Sequence, residues 1–131
     1  MTINDSWFSD GVRTFRKPIA EPFYIATEDG VVDTFNGPSE YKAGDRIVTS
    51  ALGEQYPLSL DKFVNLKHDN RDGICYPKKL LKIAKLADHN GILQIGSNQV
   101  PYSAGADYIV RHAPKEFSVV KKEVFVITYA F

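Results

Sequence analysis

Four carboxylates are the residues whose types and spacing could support chemistry. Asp45 and Glu54 lie nine positions apart, and Asp107 and Glu116 repeat the pair at the same separation. If the two strands of each motif pair as a hairpin, these acids lie near its ends, where they could bind a ligand or perform general acid–base catalysis. An acid that follows glycine can equally accept backbone N–H bonds in a turn, and we favour this structural interpretation.

Tyrosine and arginine side chains accompany the acids. Both types are enriched at binding hot spots, so they could line a groove. Core packing with a solvated hydroxyl is the default interpretation for most of the tyrosines. The predicted binding residues are Asp45, Arg46, Glu54, Tyr56, Asp107, Tyr108, Arg111 and Glu116.

Other classes of site find little support in the sequence. The three histidines, His68, His89 and His112, are scattered, and Cys75 is the only cysteine, whereas structural zinc uses four ligands, usually in close pairs. No nucleophile elbow or phosphate-binding loop is visible. The lysines of the second half lack a recognised nucleic-acid motif and suit a solvated face. We therefore predict no catalytic residue, no metal and no cofactor.

Composition bounds the class of protein. The 131 residues suit one compact domain or two small halves that share a core, and the sixteen basic and sixteen acidic residues cancel. A neutral chain has no overall field that would attract nucleic acid or a membrane. One cysteine cannot form an intrachain disulfide, which favours a reducing compartment. The opening residues lack the features of a signal peptide, and no apolar run approaches the roughly 20 residues that span a bilayer. We predict a cytoplasmic protein.

Most of the segment 41–63 returns in the segment 102–125, which indicates an internal duplication. At an offset of 61, Asp29-Gly30 matches Asn90-Gly91 and Tyr41 matches Tyr102. The insertion of Ala106 moves the offset to 62, and the acids of the two pairs then coincide. A unit of about 50 residues is marginal alone, so two similar halves are expected to share their stability.

The duplication decides the assignment of an ambiguous segment. Residues 79–88 have apolar side chains at helical spacing, but their counterparts in the first repeat resemble a strand, so we predict a strand and keep a helix as the alternative. Asp29-Gly30 and Asn90-Gly91 predict equivalent hairpin turns with positive φ. Ser59–Phe63 predicts one helical turn. Val124–Phe131, apolar on both faces, predicts a buried central strand.

These elements predict an all-β or β-dominated α+β fold. A pseudo-two-fold duplicated β unit would form a small barrel or two packed sheets, which would also cover exposed sheet edges. The predicted organisation is an N-terminal arm at 1–15, a first β repeat at 16–68, a linker at 69–77 and a second β repeat at 78–131.

One motif resembles a known family. Gly44-Asp45-x-Ile47-Val48, then Gly53-Glu54-x-Tyr56-Pro57, resembles small phage and bacterial proteins with a PGDYG or PGDYI motif followed by GExYP. Arg16-Lys17-Pro18 resembles the basic-proline opening common among them. The resemblance covers residues 16–67, with a degenerate copy in the second half, and Ala43 and Arg46 depart from the motif. It implies a phage or bacterial origin, and hence a bacterial host cell, without a defined activity.

Three functions remain open on this basis. The leading hypothesis is a non-enzymatic binding protein that occupies a partner protein surface or sequesters a small ligand. The second is an enzyme that acts on a small polar or nucleotide-like substrate through Asp45 and Glu54. The third is a structural or assembly component of a phage. Neither a membrane nor nucleic acid is the expected partner, and homo-oligomerisation is left open.

Overall fold

The structure is a computed structural model that describes residues 3–131. The chain divides into two compact units. We call residues 3–15 with Leu81–Phe131 the split unit, and Arg16–Leu80 the continuous unit. Strands predominate in both units, so the predicted β-dominated class is confirmed.

Residues 3–131 form one 3-10 helix, two α-helices and fourteen strands. They are a 3-10 helix at Asp5–Phe8, β1 (Val12–Arg16), β2 (Glu21–Ile25), β3 (Gly30–Thr34), β4 (Gly37–Tyr41), β5 (Arg46–Thr49), β6 (Gln55–Leu58), α1 (Leu60–Leu66), β7 (Lys67–Asp69), β8 (Ile74–Pro77), β9 (Lys82–Leu86), β10 (Gly91–Ile95), β11 (Asn98–Tyr102), β12 (Asp107–Ala113), β13 (Glu116–Lys121), α2 (Lys122–Thr128) and β14 (Tyr129–Ala130).

Each unit contains one five-stranded sheet and one separate hairpin. In the continuous unit the strand order is β6-β5-β2-β8-β7, with the hairpin β3-β4. In the split unit the order is β13-β12-β9-β1-β14, with the hairpin β10-β11. The orders match one for one, which confirms the duplication. Both sheets end at edge strands, so neither closes into a barrel within residues 3–131.

The two repeats exchange their first strands. At the offset of 61, β1 corresponds to β8, yet β1 lies in the split unit beside β9, and β8 lies in the continuous unit beside β2. The register confirms the equivalence, because Thr14 is paired with Lys82 and Cys75 with Glu21. Thr14 and Cys75 are both wholly buried. Each sheet is therefore completed by a strand from the other repeat.

This exchange moves the expected boundaries. The arm was predicted at 1–15, of which residues 1 and 2 lie outside the described part of the chain. Residues 3–15 contain most of β1 and a 3-10 helix whose Phe8 is buried in the core of the split unit. Residues 69–77, predicted to be a linker, carry the turn between β7 and β8 and then β8 itself. The polar residues of this segment form the turn, where Arg71 and Gly73 have positive φ. The turn signals were therefore correct, although they connect two strands of one sheet.

The middle strands are buried on both faces. On β12, Ile109 packs against the hairpin β10-β11, and Val110 packs against Phe125 of α2. On β5, Val48 packs with Phe63 of α1. The predicted strand at 79–88 is confirmed, since β9 occupies Lys82–Leu86.

The predicted strand at Val124–Phe131 is wrong over most of its length. Residues 122–128 form α2, and only Tyr129 and Ala130 join the sheet. The β propensity of this segment is overridden by packing, because the helix places Phe125 between Tyr108 and Tyr129 at ring-centroid distances of 4.0 and 4.9 Å. The helical turn predicted at Ser59–Phe63 is confirmed and extended, with the Ser59 hydroxyl accepting the Lys62 N–H at 3.3 Å.

The hairpin turns predicted at Asp29-Gly30 and Asn90-Gly91 are also wrong. Neither glycine has positive φ, and the hairpins close instead between β3 and β4 and between β10 and β11. Gly30 and Gly91 are needed for close approach, since a Cβ on either would overlap the ring and hydroxyl of Tyr41 or Tyr102. The surroundings match in both repeats: the Asp29 and Asn90 side chains each accept a backbone N–H at 2.9 Å.

We expect Gly30→Ala to lower the free energy of unfolding by about 1–3 kcal/mol, because the added methyl displaces the Tyr41 ring. In a Tyr41→Ala background the same substitution should be close to neutral, or slightly stabilising through the unfolded state. Urea unfolding of the four chains in this cycle measures the coupling. Equal costs in the two backgrounds would contradict the close-approach explanation.

Candidate functional site

The two predicted aspartates have the same structural role. Asp45 Oδ2 accepts the Lys42 N–H at 3.0 Å, and Asp107 Oδ2 accepts the Ser103 N–H at 2.8 Å. Each carboxylate closes the loop that precedes its strand, which is the turn function favoured from the sequence.

The two predicted glutamates differ from one another. Glu54 Oε2 accepts the Phe35 N–H at 2.7 Å, and so connects β6 to the β3-β4 turn. Burial raises the pKa of the Glu54 carboxyl, and the Phe35 N–H opposes that rise. Glu116 is exposed at the start of β13. Asp45 and Glu54, which the enzyme hypothesis uses, therefore both serve as acceptors for backbone N–H groups.

The remaining predicted residues fall in different units. Tyr108 stacks on Phe125, and Arg111 Nε donates to Asp5 Oδ1 at 2.9 Å, both in the split unit. Arg46 and Tyr56 belong to the continuous unit. The eight predicted residues therefore do not form one site within either unit.

A buried charged cluster surrounds Glu21 in the continuous unit. Its carboxylate, on a side chain only 2% exposed, accepts Lys67 Nζ at 2.6 Å and Arg16 Nη2 at 2.8 Å. The Tyr56 hydroxyl lies 3.3 Å from Glu21 Oε1 and accepts Arg16 Nη1 at 3.2 Å. Two cations and one anion thus share a desolvated site, whose charges are compensated by short hydrogen bonds.

Burial shifts the pKa values of three side chains in and beside this cluster. Desolvation lowers the pKa of the Lys67 ammonium, and the charge of Arg16 lowers it further, while Glu21 opposes both. Desolvation raises the pKa of the Tyr56 hydroxyl and raises that of the Cys75 thiol to about 11. Cys75 and Tyr56 are therefore neutral at pH 7, and neither provides an anionic nucleophile.

An open groove lies on the same unit, beside α1 and β7. It encloses about 300 Å³. Arg46 and Lys78 supply positive charge, and Lys67 contributes its stem while its ammonium binds Glu21. Asp69 is the acid of this lining, and its Oδ1 accepts the Arg71 N–H at 2.8 Å. The lining residues are Arg46, Leu60, Phe63, Val64, Lys67, His68, Asp69 and Lys78.

Hydrogen bonds to backbone carbonyls fix the positions of Arg46 and Lys78 in the groove. Arg46 Nη1 donates to the Gly44 carbonyl at 2.7 Å, and its guanidinium carbon lies 5.9 Å from the centre of the Phe63 ring. Lys78 Nζ donates to the Val64 carbonyl at 2.7 Å. Each cation keeps further N–H donors, and neither has a carboxylate partner among residues 3–131.

The split unit fills the corresponding positions with aromatic rings. At the offset of 62, Arg46 corresponds to Tyr108, Lys67 to Tyr129 and Asp69 to Phe131. Tyr108 and Tyr129 stack on Phe125, the counterpart of Phe63, at centroid distances of 4.0 and 4.9 Å, and Phe131 packs against it at a tilt, 5.6 Å away. The repeats have therefore diverged at this face, which is charged in one and aromatic in the other.

The split unit has its own polar chain at the position of the Glu21 cluster. Lys82 Nζ lies 2.7 Å from His112 Nδ1, and His112 Nε2 lies 2.7 Å from Ser118 Oγ. A lysine ammonium can only donate, so Nδ1 accepts and Nε2 carries the proton. The imidazole then donates to the Ser118 hydroxyl and does not act on it as a base.

A second hydrogen-bonded series of side chains that includes a histidine lies just before β10. The Asp88 carboxylate is 2.6 Å from His89 Nδ1, and the Tyr102 hydroxyl is 2.8 Å from His89 Nε2. The order carboxylate, imidazole, hydroxyl suits proton transfer in general. Tyr102 is only 3% exposed, so its hydroxyl is closed to a substrate.

Sequence reasoning missed most of these residues. Glu21, Lys67 and Lys78 are far apart in the chain, and only strand pairing brings them together. In the sequence, Arg16 stands out only as part of the basic-proline segment Arg16-Lys17-Pro18. One feature of the sequence points to this site: Arg46 is aligned with Tyr108 in the second repeat, so the two repeats differ there in charge.

Comparison of the chain with protein-family models, with curated proteins and with solved structures finds no match. The resemblance to the PGDYG and PGDYI proteins therefore stays a prediction. Among residues 3–131, no group of three or more His, Cys, Asp or Glu side chains is placed to hold a metal ion. Over the same residues, no helix has the length and apolar character needed to cross a membrane.

We expect Glu21→Gln to lower the free energy of unfolding by about 3–5 kcal/mol, because it leaves the buried Lys67 ammonium without its anion. Lys67→Met should cost less, because Glu21 keeps its ion pair with Arg16. The double variant should cost clearly less than the sum, since it removes both desolvated charges. Asp10→Asn, at the exposed pair with Lys85, is the matched control and should have a much smaller effect. Additive costs in urea unfolding would contradict the coupling.

A second expectation concerns Glu54. Its folded pKa lies above the ordinary value of 4.5, so its contribution to stability is present below that value and is lost as pH rises through the folded pKa. Glu54→Gln keeps an acceptor for the Phe35 N–H and removes the charge. The variant should be more stable than the wild type at pH 7 by up to about 1 kcal/mol, with the gain shrinking towards about pH 4.

Urea unfolding at a series of pH values measures this difference. Glu116→Gln, at the exposed counterpart, is the control for the loss of a surface carboxylate. A stability gain for Glu54→Gln that persists unchanged at low pH would show that another cause dominates.

Proposed function

We propose that the protein is a non-enzymatic binding protein of phage or bacterial type whose site is the groove of the continuous unit. The ligand is anionic and carries an apolar part. One observation supports this proposal most directly. Arg46 and Lys78 line a groove that also has an apolar wall, and neither cation has a carboxylate partner among residues 3–131. Asp69 is the only acid in the described lining, and its carboxylate already accepts a backbone N–H.

The guanidinium of Arg46 suits recognition of a carboxylate. A planar fork of N–H donors can bind two oxygens at once, and the contacts to Gly44 and Phe63 reduce the entropy that binding would cost. Lys78 adds a point charge at the other side of Val64.

The apolar part of the ligand would pack on α1. Leu60 and Val64 lie one turn apart on this helix and are 52% and 56% exposed. Their exposure beside fixed cations supports an amphipathic ligand over a simple inorganic anion. A volume of about 300 Å³ lies at the lower end for small-ligand pockets, so the groove suits a small acid or part of a larger partner.

The Glu21 cluster would act as the support of this site. Glu21 holds the Lys67 ammonium behind the lining, so the stem of Lys67 is fixed and its charge is neutralised. The net positive charge of the groove then depends on Arg46 and Lys78, which are the residues to test.

Titration with benzoate, followed by amide chemical shifts of the full chain, tests the proposal. Arg46→Gln and Lys78→Gln should each weaken binding roughly threefold to tenfold, the equivalent of about 1 kcal/mol. Lys62→Gln removes an exposed charge of α1 outside the lining and should leave the affinity unchanged. Equal losses in all three variants would indicate a general charge effect, and no loss in any would overturn the proposal.

A further inference from the structure

The edge of the sheet beside the groove has backbone groups that no described strand uses. β7 is the last strand in the order β6-β5-β2-β8-β7. Its hydrogen bonds to β8 are made by alternate residues, since Lys78 N donates to Leu66 O and Asn70 N donates to Ile74 O. In an antiparallel pair the intervening residues, Lys67 and Asp69, direct their backbone groups away from β8.

Three of these four outward groups make no hydrogen bond within residues 3–131. The Lys67 N–H is used by the Phe63 carbonyl at the end of α1. The Lys67 carbonyl, the Asp69 N–H and the Asp69 carbonyl have no hydrogen-bond partner within the part of the chain that the structure describes. Because Lys67, His68 and Asp69 also line the groove, the free edge and the cationic site adjoin each other.

Two other edges of the five-stranded sheets are less suited to an added strand. β6 contains Pro57, which has no N–H to donate, and β14 contains only two residues. The edge at β7 thus combines free backbone groups with neighbouring positive charge.

We infer that the ligand of the groove is an extended acidic segment of a partner protein, which adds as a strand to β7. This inference rests on the proposed function. The segment's backbone would bond to Lys67 O, Asp69 N–H and Asp69 O. Because side chains two residues apart share a face, an acidic side chain could meet Arg46 while an apolar neighbour on that face contacts Leu60 and Val64.

The test compares a peptide with a small anion on the full chain. The peptide is the acetylated and amidated pentapeptide Glu-Thr-Val-Thr-Glu, which places glutamate and valine on one face of a strand, and the small anion is benzoate. The peptide should bind at least roughly tenfold more tightly, because it adds backbone hydrogen bonds to the charge contact. An analogue N-methylated at its internal amides cannot pair as a strand, and it should lose most of this advantage.

Two variants of the edge provide a matched pair. Asp69→Pro removes the outward N–H without touching the bonds between β7 and β8, whereas Asp69→Ala removes only the side chain. We expect the peptide to bind about tenfold more weakly to Asp69→Pro than to Asp69→Ala, with the benzoate affinity of the two variants similar. If Asp69→Pro fails to fold, the N-methylated peptide decides the question.

The outcomes separate this inference from the proposed function. If benzoate binds through Arg46 but the peptide and its N-methylated analogue bind equally well, strand addition is overturned and the anion site stands. If neither benzoate nor the peptide binds, both proposals are overturned. A peptide advantage that depends on free peptide amides and on the Asp69 N–H supports both.

Discussion

Completion of each sheet by a strand from the other repeat is the constraint on which the rest of the structure depends. β1 begins the first repeat but lies between β9 and β14, and β8 begins the second repeat but lies between β2 and β7. Detachment of β1 or β8 from its sheet would separate the edge strand β14 or β7 and would expose Thr14 or Cys75, which are wholly buried. Neither repeat therefore completes its five-stranded sheet with its own residues alone, which agrees with the marginal stability of units of this size.

The exchange also brings the charged cluster together. Glu21 is paired with Cys75 on β8, and β8 in turn places β7 with Lys67 within reach of the Glu21 carboxylate. A buried carboxylate is tolerated only when its hydrogen bonds are satisfied, and here two cations and a hydroxyl satisfy it. In the split unit the counterpart of Glu21 is Lys82, and a histidine–serine chain occupies the neighbouring space. One scaffold thus accommodates two different polar interiors.

The divergence of the repeats is concentrated around the helix. Phe63 and Phe125 are equivalent and both are buried, but Arg46 lies over one ring and Tyr108 stacks on the other. The split unit therefore has stacked rings at this face, whereas the continuous unit has a groove with a positive charge. A difference of this kind between copies with the same fold is where a binding site is expected, because packing alone would favour the same solution in both.

The sequence by itself determined the duplication, the β-dominated class and the position of β9, because paired motifs and turn residues act locally and repeat at a constant offset. It also indicated that Asp45 and Asp107 serve turns. It could not determine that 122–128 is helical, since the β propensity of Val124 to Ile127 is outweighed by the packing of Phe125 between two rings. Only the tertiary structure decided that the first strands are exchanged, and that Glu21, Lys67 and Arg16 meet. The reason is that strand partners depend on burial across the whole chain, which produces no residue pattern at a fixed spacing in the sequence.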